Sequence, residues 1–138
     1  MNKPILIEEP DAQEIYYDIC CGIDVHQKTL TACLLRSNKK KEIRKYGTTT
    51  KQLRGLAQWL IDEHCEMAAM ERTGIYWKPV YNIFEEYQLK VMLVNAAHMR
   101  NVPGRKSDIG DAQWIARLLK QGLLKANYIP SREQRELR

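Results

Sequence analysis

Residues 18–25, Asp-Ile-Cys-Cys-Gly-Ile-Asp-Val, limit this chain more than any other stretch. They are apolar at odd and at even positions, so a strand built from them has two faces to bury. Such a strand belongs at the centre of a sheet with layers packed on both sides. Asp24 interrupts the run at its carboxyl end. Thr29–Arg36 reads as a second strand, and the turn His26-Gln27-Lys28 between the two is short enough for an antiparallel hairpin. After a turn at 37–40, residues 41–48 fit a polar edge strand, with Ile43 inward and lysines guarding against edge pairing.

The pattern then changes to alternation. Thr50 is the expected cap of a helix carrying Leu53, Leu56, Ala57, Leu60 and Ile61 at helical spacing and ending near His64. Residues 66–71 form a short buried strand, and Arg72-Thr73-Gly74 a turn. Residues 76–87 form a second helix, with Pro79 tolerated in its first turn. Residues 89–95 make a fifth strand, followed by a short helical turn at 96–101 and a loop at 102–106. Ser107 is the expected cap of a last helix that runs to about Gln121, with Gly122 as its stop. The order β-β-β-α-β-α-β-α implies an α/β fold with a mixed five-stranded sheet. The sheet is parallel through its first, fourth and fifth strands, with helices on both faces.

In the last helix Asp108 and Asp111 share a face with Ile115, Leu118 and Leu119. An amphipathic helix buries that face, so both carboxylates are expected to point toward the core side and to need a cation. Asp24 closes the first strand and Glu71 the fourth. Ligands of open α/β sheets bind beyond such strand ends. Four carboxylates in one crevice repel one another, and two Mg²⁺ or Mn²⁺ ions relieve that repulsion. Two ions about 3.5–4 Å apart are the arrangement for phosphodiester chemistry. Each acid alone has a plainer alternative. Asp24 also suits an exposed strand end, Glu71 a pair with Arg72 or a cap, and Asp108 a first-turn acid favoured by the helix dipole. The conjunction, not any single residue, carries the metal reading.

Charge agrees with a polyanionic partner. The net charge is +5. Residues 98–138 carry nine Lys and Arg against four Asp and Glu, whereas residues 1–97 are balanced at 13 of each. A basic field around an acidic pair suits nucleic acid, and also a merely solvated surface. No apolar run approaches the roughly 18 residues of a membrane helix. The acidic arm at 1–17 does not resemble a targeting peptide, which points to the cytoplasm and to no membrane partner. Cys20, Cys21, Cys33 and Cys65 form no C-x-x-C pair, and read as small buried hydrophobes rather than zinc ligands.

Three motifs, Gly22-Ile23-Asp24-Val25-His26-Gln27-Lys28, Glu71-Arg72-Thr73-Gly74-Ile75-Tyr76-Trp77 and Lys106-Ser107-Asp108-Ile109-Gly110-Asp111-Ala112, resemble in content and order those of the DEDD transposases of bacterial insertion sequences. The resemblance spans about residues 18–138. It implies a RuvC-like, ribonuclease-H-type fold and maps the catalytic, metal-binding tetrad to Asp24, Glu71, Asp108 and Asp111. It further implies DNA cleavage and strand transfer, a structured guide RNA, a dimer or tetramer, and action near the bacterial nucleoid. Domain limits follow: a flexible arm at 1–17, a catalytic domain at 18–125, and the start of a helical linker at 126–138. The second domain of the family, which carries a serine proposed as nucleophile, has no counterpart in this sequence, and Ser131 is not assigned that role.

Candidate nucleic-acid contacts are Arg100, Arg105 and Lys106 on the Pro-Gly loop, Arg117 on the last helix, and the rings of Tyr76 and Trp77. Packing of the helix on the sheet is the plainer use of these rings and is favoured over stacking on a base. His26 suits a surface turn, or help to a bound water. Two other functions stay open: a stand-alone Mg²⁺-dependent nuclease of the Holliday junction resolvase kind, and an inactive module that binds nucleic acid or assembles.

Overall fold

The computed structural model describes residues 17–72, 74–95 and 110–124. Their strands are β1 (Ile19–Val25), β2 (Thr29–Arg36), β3 (Lys39–Gly47), β4 (Met67–Glu71) and β5 (Val91–Val94). Their helices are α1 (Thr50–Asp62), α2 (Trp77–Glu86) and α3 (Asp111–Lys120). The strands form one mixed sheet in the order β3-β2-β1-β4-β5. β1 runs antiparallel to β2 and parallel to β4, and β4 runs parallel to β5. The run that is apolar on both faces therefore takes the central position. The arm at 1–16, the 96–101 turn, Arg100, Arg105, Lys106, Ser107, Asp108 and the segment 126–138 lie outside the described residues.

Alternation along the strands sorts the core into two layers. Cys21 and Ile23 of β1, with Ala68, Met70 and Leu93, pack against Leu53, Leu56, Leu60, Val80 and Phe84 of α1 and α2. Cys20, Ala69 and Val94 face the other way, onto Ile115, Leu118 and Leu119 of α3. Cys33 meets Ala112 and Ala116 on that second face. Gly22 is where α3 crosses most closely: a Cβ there would collide with the Ala112 carbonyl and the Ala116 backbone. At the far end of α3, Lys120 Nζ donates to the carbonyls of Tyr17 and Asp18 at 3.1 and 3.0 Å, tying the helix to the start of β1.

Three local expectations are corrected. Thr49, not Thr50, caps α1, its hydroxyl accepting the N–H of Gln52; the two threonines are chemically equivalent and only the backbone of Thr49 is extended. α3 begins at Asp111 with extended Gly110 as its cap, one turn later than a Ser107 cap implies. Ile43 is 48% exposed, not inward. Among the described residues α3 packs chiefly on β1, β2 and β4, which leaves Ile43 of the edge strand largely uncovered. Gly122 ends α3 with a positive φ, as expected. Among the described residues no helix is long and apolar enough to cross a membrane.

Candidate functional site

β1 and β4 are parallel neighbours with Ile23 beside Met70. One step further along both strands stand Asp24 and Glu71, at the carboxyl ends. Parity puts both on the face that α3 covers, since Ala69 and Cys20 of the same parity lie under α3. Adjacent strands are about 4.8 Å apart, so the two carboxylates leave the sheet side by side. Asp24 also faces Thr31 across the hairpin.

Asp111 reaches this place from above. A helical side chain leans toward the helix N-terminus, and Asp111 is the first residue of α3. It therefore overhangs the strand ends instead of pressing into the core. It is exposed, which corrects the expectation of a carboxylate pointed to the core side. Asp24, Thr31, Gly110, Asp111 and Ala112 line one cavity of about 150 Å³, with Ile43 at its β3 side. The structure thus brings Asp24 and Asp111 together in one pocket. Glu71 does not line that cavity, and Asp108 lies outside the described residues. Among the described residues no three His, Cys, Asp or Glu side chains form a ready ligand set.

The plainer roles weighed for Glu71 are not taken up. Arg72 turns its guanidinium over the Trp77 ring, 5.7 Å from the centroid. The cap position of α2 is Tyr76, with no side-chain cap bond. Among the described residues the side chain of half-buried Glu71 makes neither a hydrogen bond nor an ion pair. The Asp24 side chain is 22% exposed, and His26 Nε2 donates to its Oδ2 at 3.1 Å. The two residues are two apart at a strand end and so share a face, a spacing that makes this contact readable from sequence. Thr31 was missed; the hairpin register is what brings it to Asp24.

The donor chemistry suits a hard divalent cation, because the pocket offers carboxylate and hydroxyl oxygens. The nearest thiol does not compete. Cys33 is buried under α3, and desolvation pushes it up to about 11, with Lys41 opposing.

The aromatic pair divides. Tyr76 is 43% exposed, whereas Trp77 is 4% exposed. The Trp77 indole N–H donates to the Gly74 carbonyl at 3.0 Å, and Tyr81 packs edge-on against the ring. Trp77 packs α2 onto the sheet and has no face free for a base, which corrects its place among the nucleic-acid contacts. Arg117 is exposed on α3.

Solved structures of similar fold include Thermus thermophilus RuvC in complex with Holliday junction substrate, at 14% identity and a TM-score of 0.52. The match covers 79% of this chain and 99% of that one. Thermus thermophilus RuvC without substrate named matches at 13% identity with the same TM-score and coverage. The fowlpox virus resolvase with Holliday junction DNA follows at 19% identity and a TM-score of 0.43, covering 64% of this chain and 65% of that one. The first two establish the fold as RuvC-like, of the ribonuclease H type. No curated protein matches the chain in sequence. A family model described as Transposase, the DEDD transposases of IS110 type, matches residues 21–138, nearly the whole sequence, and the chain belongs to that family.

Proposed function

We propose that the chain is the metal-dependent catalytic domain of a DNA transposase, with Asp24, Glu71, Asp108 and Asp111 holding two divalent ions, Mg²⁺ or Mn²⁺. One observation carries the reading. Glu71 is a half-buried carboxylate without a partner among the described residues, beside Asp24 and on the face that Asp111 overhangs. A charge partly withdrawn from water without a counter-ion is costly, and a cation offsets that cost. Ions held by these carboxylates would lower the pKa of an attacking water or hydroxyl and stabilise charge on the leaving oxygen.

The protein groups position these parts. Asp24 and Glu71 are fixed by the rigid centre of the sheet, and Asp111 by the first turn of α3. His26 holds one oxygen of Asp24, restricting the rotation of that carboxylate. In this reading Arg100, Arg105, Lys106 and Arg117 contact phosphates, which position a nucleic acid without reading its sequence. Tyr76 offers its exposed ring to a base. DNA is the substrate class, supported by the Holliday junction substrate in the RuvC complex. A guide RNA, a dimer or tetramer, nucleoid association, and the division into arm, catalytic domain at 18–125 and linker rest on the family membership alone. The stand-alone nuclease is the second reading, favoured by a single feature: the match spans 99% of the RuvC chain.

Asp24→Asn and Asp111→Asn test the proposal through Mn²⁺ titration, thermal unfolding and cleavage of labelled branched DNA. The unsubstituted chain is expected to bind Mn²⁺ and to melt at a higher temperature with it. Each variant is expected to lose most of that shift while keeping its circular dichroism spectrum. Where cleavage is measurable, the loss is expected to reach at least about a hundredfold. Unaltered Mn²⁺ binding in both variants would refute the tetrad. Junction cleavage by this chain alone favours the nuclease reading; Mn²⁺ binding without cleavage favours the transposase domain.

A further inference from the structure

The basic residues singled out by charge counting lie late in the chain, yet the structure holds a second cationic surface next to the carboxylates. β3 carries Lys39, Lys40, Lys41, Arg44 and Lys45 against the single acid Glu42. The register divides these by face. Ala32 pairs with Arg44 and Leu34 with Glu42, on the α1 side. There Arg44 Nε donates to Glu42 Oε2 at 2.8 Å and its guanidinium lies 4.2 Å above the Trp59 ring, so that side is internally neutralised. On the other side Thr31 pairs with Lys45 and Cys33 with Ile43. Asp24, Thr31 and Lys45 therefore form one row across three strands, pointing to the face of the cavity. The register shifts past Glu42, where Arg36 pairs with Lys39, so alternation alone does not place Lys40 and Lys41; the Lys41 ammonium acts on the Cys33 thiol of the α3 side. Lys40 and Lys41 line a surface hollow with Ile43, and Ile43 also borders the carboxylate cavity. Ile43 thus borders both depressions. Among the described residues Lys40, Lys41 and Lys45 make no ion pair.

We infer that this open face of β3, through Lys40, Lys41 and Lys45, is a docking track for the DNA backbone leading into the carboxylate pocket. Lys41 and Lys45 are four residues apart, about 13 Å along a strand, long enough for the track to meet more than one phosphate of a DNA strand. Guarding of a free edge is a separate use of lysine, and it does not require cations on the active face to go unpaired while those on the other face are neutralised. Among the described residues α3 packs chiefly on β1, β2 and β4, and Ile43 and Lys45 of β3 stay exposed beside it. The direction of the track is what selects DNA: it ends at the carboxylates, where in the proposed function the cleaved strand must lie. The inference rests on that function for the identity of the strand and on β3 alone for the surface.

The test is salt-dependent binding of fluorescent duplex DNA and of a structured RNA to the K40Q/K41Q/K45Q variant of this chain. Loss of three phosphate contacts is expected to lower the slope of log K against log salt by about 3 and DNA affinity at moderate salt by at least tenfold. A K51Q/K78Q/K90Q control removes equal charge from exposed positions elsewhere and is expected to leave the slope nearly unchanged. The K40R/K41R/K45R variant keeps the charge and is expected to bind like the parent, which separates charge from folding. An unchanged slope in the glutamine variant overturns the inference. So does an equal fall in the control, or a loss confined to RNA. Mn²⁺ binding of the glutamine variant is expected to stay intact, whereas Asp24→Asn loses Mn²⁺ and keeps the slope, so failure of the track and failure of the metal site are read separately.

Discussion

Desolvation raises the Cys20 and Cys65 thiols to about 12 and Cys33 to about 11, and pushes Cys21 up as well. The unfolded chain releases these protons near the ordinary value of 9.0. Folded-state values above the unfolded one mean that native stability is whole below about 9 and falls as pH rises from there toward 12, because only the unfolded state ionises. The urea midpoint is expected to hold steady between about pH 7 and 8.5 and to drop above about 9.5. Iodoacetamide at about pH 8 is expected to label the native thiols at least a hundredfold more slowly than the urea-unfolded ones. Equal labelling would contradict the burial. These thiols were readable because an apolar run has no use for a charged side chain. Asp24 was readable for the opposite reason, as a charge at the end of such a run. Trp77 was legible only in part, because a tryptophan after an acid reads more readily as core and still permits a stacking ring. What decides is the turn that folds its indole N–H onto Gly74, and nothing in the local pattern encodes it.

At the level of elements, the strands and the parallel β1-β4-β5 core were legible from periodicity and order, while the start of α3 was not. Ser107 is a good capping residue, but Gly110, which makes no side-chain cap bond, begins the helix. Docking outweighs capping here: Ala112 and Ala116 must come down on Gly22, and that contact sets where the helix lies. Gly22→Ala is therefore expected to lift α3 and to destabilise the chain by about 1–3 kcal/mol, the usual cost of overpacking. It is also expected to weaken Mn²⁺ binding, since Asp111 travels with α3. Gly55→Ala is the matched contrast. Its added Cβ would meet only the edge of Tyr46 at 3.9 Å, within an exposed turn of α1. It is expected to stabilise by up to about 1 kcal/mol through helix propensity. Urea unfolding of the two variants, with Mn²⁺ titration of each, checks the pair; a neutral Gly22→Ala would show that α3 does not bear on β1 so closely.

Across the whole molecule the two layers are unequal. The face under α1 and α2 holds the large side chains Phe84, Met70, Leu53, Leu56 and Leu60 in one continuous cluster. Among the described residues the α3 face holds a smaller cluster, Ile115, Leu118, Leu119 and Leu124 over Cys20, Ala69 and Val94, and rests partly on Gly22, Cys33 and alanines. Regions with fewer buried apolar contacts open at lower free energy, so α3 is expected to exchange its amide hydrogens before β1, β4 and α1. The carboxylates lie across this weaker seam: Asp24 and Glu71 on the sheet, Asp111 on the helix. In the proposed function a cation held by both sides would bind only while α3 is docked, and would stabilise the docked state by about 2.7 kcal/mol at a hundred times its dissociation constant. Hydrogen exchange measured with and without Mn²⁺ is expected to show slowing concentrated in residues 111–120 and the end of β1, with little change in α1 and α2. Asp111→Asn is expected to cancel the slowing in α3. Uniform slowing over the chain would place the ion elsewhere, and slowing in α1 or α2 alone would put it on the wrong face of the sheet. Sequence periodicity can name Asp24 and Asp111, but it does not say that one stands on the sheet and the other on the helix that covers it. That follows from which face of β1 each helix covers, a property of the assembled sheet.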